Sequence, residues 1–256
     1  DSTAPTGTLS INSAEVATNL TSVTLTLSAL DTGSGVVSMK ISNDGSSWQT
    51  FAFAFNKEWT LLSGEGTKTV YVQYGDSIGN WSNNFTDTIT LDTLKPTGKV
   101  SINGGAASTE TRLVSLTMSG NGTGSPVVSM MISNDNFVTW NTFAYSSTFN
   151  SWNLANIGLQ TVYVKFIDAA GNIGDAVTDT INFTGTIGSI IINGGSSYTN
   201  STTVTLTLSA SDIDVIVSMK FSNDGSTWSS EEAYATSKEW TIGPSDGWFN
   251  VYVKYK

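Results

Sequence analysis

The chain has 256 residues, a net charge of −10 and a pI near 4.2, and only 12% of its residues are charged. Such an acidic surface, without any Lys/Arg cluster, repels nucleic acid and anionic membranes. The absence of Cys and His excludes disulfides and the Ser-His-Asp and Cys-His arrangements of nucleophilic catalysis. No apolar stretch approaches the roughly 18 residues of a membrane span. Taken together, charge, composition and hydropathy predict no enzyme, no nucleic-acid partner and no membrane span.

In chain order, the first part of the sequence consists of short runs in which apolar and polar residues alternate. Val23, Leu25 and Leu27, for example, are separated by single polar residues. This period of two is typical of antiparallel strands with one buried face, and the Gly, Asn and Asp residues between the runs favour turns. Seven strands are predicted: Thr8–Asn12, Ser22–Ala29, Val37–Ser42, Trp48–Phe53, Lys57–Leu62, Lys68–Tyr74 and Phe85–Leu91.

The alternation also predicts which side chains are buried. In the run from Val37 to Ser42, the odd-numbered residues are expected to face the core and the even-numbered residues to face solvent. In the later strand, Val70, Val72 and Tyr74 are expected to face the core. Strands with one buried face and one solvent-exposed face favour a two-sheet sandwich.

Four phrases then return along the chain in a fixed order. "SMKISNDGSSW" (Ser38–Trp48) comes back as "SMMISNDNFVTW" and "SMKFSNDGSTW", and "TVYVQYGDSIGN" comes back as "TVYVKFIDAAGN" and "NVYVKYK". The shared Asn occupies positions 43, 134 and 223, which are 91 and 89 residues apart. This period is too long for a solenoid unit and matches a small sandwich domain. The sequence predicts three all-β, immunoglobulin-like antiparallel sandwiches, end to end, at residues 1–94, 95–184 and 185–256.

The first phrase has two interpretations. Asn-Asp-Gly after a strand favours a hairpin turn, because these residues tolerate positive φ. On this interpretation the Trp that follows (Trp48, Trp140 and Trp228) covers one end of the core, and replacing it by Ala should cost about 3–5 kcal/mol. The alternative is a ligand contact, which an exposed Trp would favour. A second recurring Trp (Trp59, Trp152 and Trp240) is expected to pack in the core.

Loop carboxylates and exposed aromatics are the remaining candidate site residues. Asp31, Asp76, Asp92 and Asp168 offer hard oxygen ligands for calcium, but Asp-x-x-Gly-Asn is equally a self-bonded turn. The sequence therefore assigns no metal ligand, no cofactor-binding residue and no catalytic residue, and leaves a modest calcium effect open. An outer sheet face is expected to carry an aromatic strip with long neighbours, which either contacts sugar or protein or is shielded by lysine stems: Lys40, Tyr71, Gln73, Met131, Tyr163, Lys165, Lys220, Tyr252 and Lys254.

The recurring phrases, "SNDG…W", "WTL" and "TVYVxxxDxxGN", resemble the immunoglobulin-like or fibronectin-III-like repeats of large bacterial surface and secreted proteins. The resemblance covers nearly the whole chain. It implies an extracellular, non-catalytic stalk, rod or filament whose partners are other repeats or subunits. An adhesin that binds surface glycan or protein is the alternative. The connectors Leu91–Lys99 and Asn182–Ile190 are short, so neighbouring domains are expected to bend little.

The third copy departs from the pattern, because it reaches Lys256 before a turn and a last strand. Three explanations are open: a longer chain that continues past this point, a smaller rearranged sandwich, or a strand donated by another subunit.

Overall fold

The computed structural model describes residues 1–135, 138–212, 215–244 and 246–256. Within these ranges the regular structure is strand, apart from two short 3-10 turns at Asn12–Ala14 and Asn193–Gly195. None of the described helices has the length and apolar character needed to cross a membrane.

The first repeat is a sandwich of two sheets. One sheet has the strand order β1-β3-β6 and the other has the order β2-β8-β7-β4-β5. All seven strands expected from the alternation are present, and sequence reasoning missed only the two-residue β2, which pairs in parallel with β8. The strands are β1 (Thr6–Ile11), β2 (Ala17–Thr18), β3 (Ser22–Leu30), β4 (Val36–Ser42), β5 (Gln49–Ala52), β6 (Asn56–Thr60), β7 (Gly66–Asp76) and β8 (Phe85–Leu91).

The second repeat has the same two sheets in the same order. They are β9-β11-β14 and β10-β16-β15-β12-β13. Their strands are β9 (Thr97–Ile102), β10 (Ser108–Thr109), β11 (Leu113–Asn121), β12 (Val127–Ser133), β13 (Asn141–Ala144), β14 (Thr148–Asn153), β15 (Gly158–Asp168) and β16 (Val177–Phe183).

The third repeat keeps one sheet complete and has fewer strands in the other. The orders are β17-β18-β21 and β20-β19-β22 among the described residues. The strands are β17 (Ile187–Ile192), β18 (Thr203–Ser211), β19 (Ser218–Ser222), β20 (Glu232–Ala233), β21 (Ser237–Thr241) and β22 (Tyr252–Tyr255).

Each repeat buries its own apolar core between its two sheets. The first core contains Leu25, Ile41 and Val72, the second contains their counterparts Leu116, Ile132 and Val164, and the third is a smaller cluster. Separate cores joined by short connectors make the fold three tandem antiparallel β-sandwiches, which confirms the predicted fold class. The domain limits at 94/95 and 184/185 stay predictions.

Two burial predictions in β4 are wrong, each for its own local reason. A bulge lies between Val36 and Ser38, where β4 pairs with β7, and it inserts an extra residue. Val37 is therefore 50% exposed instead of buried. At the other end of β4, Ser42 is buried, and a hydrogen bond from its hydroxyl to Asp44 in the following turn offsets the cost of burying this polar group.

Candidate functional site

The Ser-Asn-Asp phrase forms a self-bonded turn after β4. The Asp44 carboxylate accepts hydrogen bonds from the backbone amides of Ser46 and Ser47 at 2.8 and 2.6 Å. The Ser42 hydroxyl donates to the same carboxylate at 2.8 Å and accepts from the amide of Gly45 at 2.9 Å. Gly45 has a φ of +71°, which glycine adopts without strain. These residue types therefore serve the geometry of the turn.

The middle residue of the phrase joins the two sheets of the sandwich. Asn43 accepts a hydrogen bond from the indole Nε1 of Trp59 at 2.7 Å and donates to the carbonyl of Thr60 at 3.0 Å. Trp59 lies on β6 in the opposite sheet and is 7% exposed. Its counterparts make the same pair of bonds, Asn134 with Trp152 and Asn153, and Asn223 with Trp240 and Thr241. The phrase thus links the two sheets through hydrogen bonds, and we call this pair of Asn43 and Trp59 the inter-sheet latch.

The Trp that ends the phrase does not cover the core, and the prediction that it does so is wrong. Trp48, Trp140 and Trp228 are half-buried and belong to none of the three core clusters of the described residues. The pairing of Ile41 with Gln49 places Trp48 across from Ser42. Since alternate residues share a face, Trp48 lies with Lys40 on the outer face of the sheet.

This outer face carries a repeated row of aromatic and long polar side chains. Lys40 pairs with Gln73, and Ser42 pairs with Tyr71, which places Lys40, Tyr71 and Gln73 on one face, as expected. The second and third repeats have the corresponding pairs, Met131 with Lys165, Ser133 with Tyr163, Lys220 with Lys254, and Ser222 with Tyr252.

Lysine ammonium groups lie over several rings of the row. Nζ of Lys165 is 4.9 Å from the centre of the Trp140 ring, and Nζ of Lys254 is 4.2 Å from that of Trp228. In the first repeat Nζ of Lys40 lies 3.8 Å from the centre of the Trp81 ring. Cations over indole faces stabilise the row, and the lysine stems shield part of its apolar surface.

The junction between the first two repeats is built around Asp92, which is fully buried. Its backbone N–H donates to the Thr18 carbonyl of the first repeat at 2.9 Å. From the second repeat, the Ser125 hydroxyl donates to the Asp92 carboxylate at 2.6 Å, and Asn172 Nδ2 donates to the Asp92 carbonyl at 2.8 Å. Both repeats therefore form hydrogen bonds with Asp92, and these bonds restrict rotation about the connector.

Residues around Asp92 complete the junction. The Thr93 N–H donates to Glu65 of the first repeat at 2.9 Å, and the exposed Lys95 pairs with Asp175 of the second at 2.9 Å. Gly174 approaches the Pro96 carbonyl so closely that an added Cβ would lie 2.3 Å from its oxygen. A side chain at this glycine would push the connector away from the second repeat.

The Asp-x-x-Gly-Asn turn is confirmed as self-bonded, and in the second repeat it also holds the connector. Asp168 accepts hydrogen bonds from the backbone N–H of Asn172 at 2.9 Å and from its Nδ2 at 3.0 Å. The same Nδ2 reaches the carbonyl of Asp92. Asp92 and Asp168, considered above as calcium ligands, are thus bonded into the junction.

A separate group of carboxylates lies at the end of the first repeat. Oxygens of Asp1, Asp31 and Asp76 lie within 4.8 Å of one another. Ser34 already bridges them, because its hydroxyl donates to Asp76 at 2.8 Å and its backbone N–H donates to Asp1 at 2.9 Å. Sequence reasoning named Asp31 and Asp76 but not Asp1. The calcium effect stays a prediction.

Several aspartates owe a low pKa to the turns that hold them. For Asp76, burial raises the pKa, but hydrogen bonds from Ser34, Asn80 and the Gly79 amide outweigh it and bring the pKa to about 2. The Ser133 and Thr139 hydroxyls lower the pKa of Asp135 to about 2. In the Asp44 turn, the amides of Ser47 and Ser46 lower the pKa well below 3.8.

These shifts predict the pH dependence of stability. A carboxyl whose pKa is lower in the folded than in the unfolded chain stabilises the fold above the unfolded value, and this stabilisation is lost as pH falls through the folded value. We expect a melting temperature that is nearly constant from pH 7 to 5 and falls between about pH 4 and 2. Because the chain has no histidine, a large decrease between pH 7 and 5 in calorimetry would contradict this assignment.

No protein-family model matches the chain, and the sequence search found no curated relative. Similar solved structures include the fibronectin(III)-like modules of Clostridium thermocellum CbhA, at 10% identity and a TM-score of 0.46 over 68% of this chain and 93% of that chain. A tetra-tandem repeat from the extending region of a large adhesion protein has 16% identity and a TM-score of 0.29 over 98% and 73%.

Carbohydrate-binding modules of the β-sandwich superfamily are similar at 12% identity and a TM-score of 0.32, over 68% of this chain and all of that chain. The fibronectin(III)-like modules and the tandem repeats of the adhesion protein are of the kinds that the recurring phrases resemble.

Proposed function

We propose that the chain is a non-catalytic segment of an extracellular or cell-surface protein, in which tandem sandwiches form a stalk or rod. The Asp92 junction carries this proposal. Only five residues, 92–96, separate β8 from β9, and hydrogen bonds from both repeats hold them. A spacer must keep its units at a fixed separation, and this connector has the bonding to do so.

The chemistry of the chain supports the same assignment. Without Cys or His the chain lacks the thiol nucleophile and the imidazole general base. Several of its carboxylates are engaged in turns, among them Asp44 and Asp168. On this proposal the partners of the segment are other repeats or subunits of the same protein.

The outer-face row supports a second function, an adhesin module that binds glycan or protein. Trp140 and Tyr163 flank Ser133 of β12 from opposite sides, because Ser133 pairs with Tyr163 and the neighbouring Ile132 pairs with Asn141. The half-buried ring of Trp140 favours this function, because it belongs to none of the core clusters of the described residues. Aromatic faces with polar neighbours bind sugars and protein surfaces alike.

An array of glycans and extracellular proteins, probed with the whole chain, separates the two functions. We expect no specific ligand to be retained if the segment acts as a stalk. Retention that is lost with Trp140→Ala and Tyr163→Ala would instead establish the adhesin function. Tyr198→Ala is the matched control, since Tyr198 is 87% exposed and lies outside the outer-face row. Circular dichroism of each variant confirms that the fold is intact.

A further inference from the structure

The segment that opens each of the first two repeats is hydrogen-bonded to the strand that closes it. We propose that these bonds form a clamp that bears the load when the molecule is pulled from its two ends, and that Asp87 and Asp179 fasten this clamp with their side chains. The proposal rests on the assignment of the chain as a stalk, since a stalk transmits tension from one end to the other.

The opening segment changes from one sheet to the other. In the second repeat β9 pairs with β11 in the three-stranded sheet, from Thr97 opposite Asn121 to Ile102 opposite Leu116. The chain then joins the five-stranded sheet as β10, which pairs with the last strand, β16. This pair is parallel, whereas the other strand pairs of the repeat are antiparallel. The opening segment and the closing strand therefore run side by side in the same direction.

Two backbone hydrogen bonds hold β10 to the closing strand. The N–H of Asn182 donates to the carbonyl of Ala107 at 3.0 Å, and the N–H of Thr184 donates to the carbonyl of Thr109 at 2.9 Å. Asn182 lies within β16, but Thr184 follows it, where the chain leads to the third repeat. The pairing therefore continues into the residue through which tension leaves the second repeat.

A side chain supplies the third bond, at the point where the chain leaves the three-stranded sheet. The carboxylate of Asp179 in β16 accepts a hydrogen bond from the backbone N–H of Ile102, the last residue of β9, at 2.8 Å. Ile102 is completely buried, so its N–H needs a partner within the protein. We call these three bonds, two between backbone groups and one to Asp179, the clamp of the second repeat.

The first repeat has an equivalent clamp. Its three bonds, each from a backbone N–H, run from Ile11 to the Asp87 carboxylate at 2.8 Å, from Thr90 to the Val16 carbonyl at 3.1 Å and from Asp92 to the Thr18 carbonyl at 2.9 Å. Asp92 also binds the second repeat through its carboxylate and its carbonyl. One residue thus belongs both to the clamp of the first repeat and to the joint with the second.

The direction of the strands decides how tension loads the clamp. The connector of residues 92–96 leads into β9, which leads to β10, and the chain leaves the second repeat after β16. Because β10 and β16 are parallel, tension on the two connections pulls them in opposite directions along their length. The three bonds are then loaded together, and they break together instead of one at a time. Forced unfolding depends on the height of this barrier, so we expect the clamp to set the lifetime of a loaded repeat.

The absence of Cys from the sequence allows the points of pulling to be chosen with introduced Cys residues. Handles on the two ends of the whole chain load each repeat lengthwise. Handles on Val138→Cys and Asn156→Cys load the second repeat across its strands, since both residues are exposed and lie in turns at one end of the sandwich, after β12 and before β15. Optical tweezers at constant force measure the unfolding lifetime in both directions.

In lengthwise pulling, Asp179→Ala is expected to shorten the lifetime of one repeat by about tenfold, because one hydrogen bond is lost from the clamp. Asp87→Ala should do the same for another repeat, and the double variant for two. Asp179→Asn is expected to keep most of the lifetime, since its amide oxygen accepts the same bond. Thr180→Ala, which changes an exposed side chain beside Asp179, is the matched control.

Pulling across the strands separates a load-bearing role from a general effect on stability. The clamp lies outside this load path, so we expect Asp179→Ala to leave the lifetime nearly unchanged in this direction. An equal shortening in both directions, or no shortening in lengthwise pulling, would overturn the clamp. Neither result would bear on the stalk assignment, which the array of glycans and extracellular proteins tests separately.

Discussion

Replacing Trp59 by Ala is expected to lower the free energy of unfolding of the first repeat by about 3–5 kcal/mol. The ring is 7% exposed, packs edge-on against Phe51 with ring centres 6.3 Å apart, and donates its N–H to Asn43. The substitution leaves a cavity between the sheets and removes the donor of the inter-sheet latch. Denaturant unfolding followed by hydrogen exchange in β3 and β4 measures the loss.

Trp48→Ala is the matched control for this prediction. The residue type is the same, but Trp48 lies on the outer face, so we expect a loss of roughly 0.5–1 kcal/mol. Similar losses for the two variants would contradict the division of the recurring Trp residues into a buried set and an outer set.

Replacing Asp92 by Ala is expected to loosen the junction between the first two repeats. The variant leaves the Ser125 hydroxyl without its acceptor in a buried place, at a cost of about 1–3 kcal/mol. We expect small-angle scattering to show a broader distribution of distances within the chain. Hydrogen exchange should increase in the 124–127 loop and the 168–172 turn.

Lys95→Ala provides the control for the junction. Lys95 and Asp175 form an exposed ion pair, with side-chain exposures of 62% and 91%, and such pairs contribute about 1 kcal/mol or less. An unchanged scattering curve for Asp92→Ala, or an equally large change for Lys95→Ala, would show that the buried aspartate does not set the geometry of the junction.

Sequence reasoning predicted the strands well because their signal is local. Alternation placed Leu25 and Val72 correctly, and turn chemistry correctly identified the Asp44 and Asp168 turns. The bulge that exposes Val37 has no such signal, since it depends on how β4 pairs with a strand distant in sequence.

The roles of the recurring residues were harder to predict. The residues that neighbour Trp48 and Trp59 in the sequence are of similar types. Only the pairing of strands shows that Trp48 lies on the outer face and Trp59 on the inner face. The latch by Asn43 and the burial of Asp92 depend on contacts between sheets and between repeats. The period of the repeats could have shown that Asp1 and Asp92 are equivalent, because they are 91 residues apart, like Asn43 and Asn134.

Because the two positions are equivalent, Asp1 and Asp92 make the same kind of contact with the repeat that follows each of them. Asp1 contacts the Ser34 loop of the first repeat as Asp92 contacts the Ser125 loop of the second. Where the second repeat meets the third, Thr184 follows the last strand instead of Asp and bonds back to Thr109. The first joint therefore has a carboxylate that binds the following repeat, whereas the corresponding position of the second joint has a hydroxyl that bonds back to its own repeat.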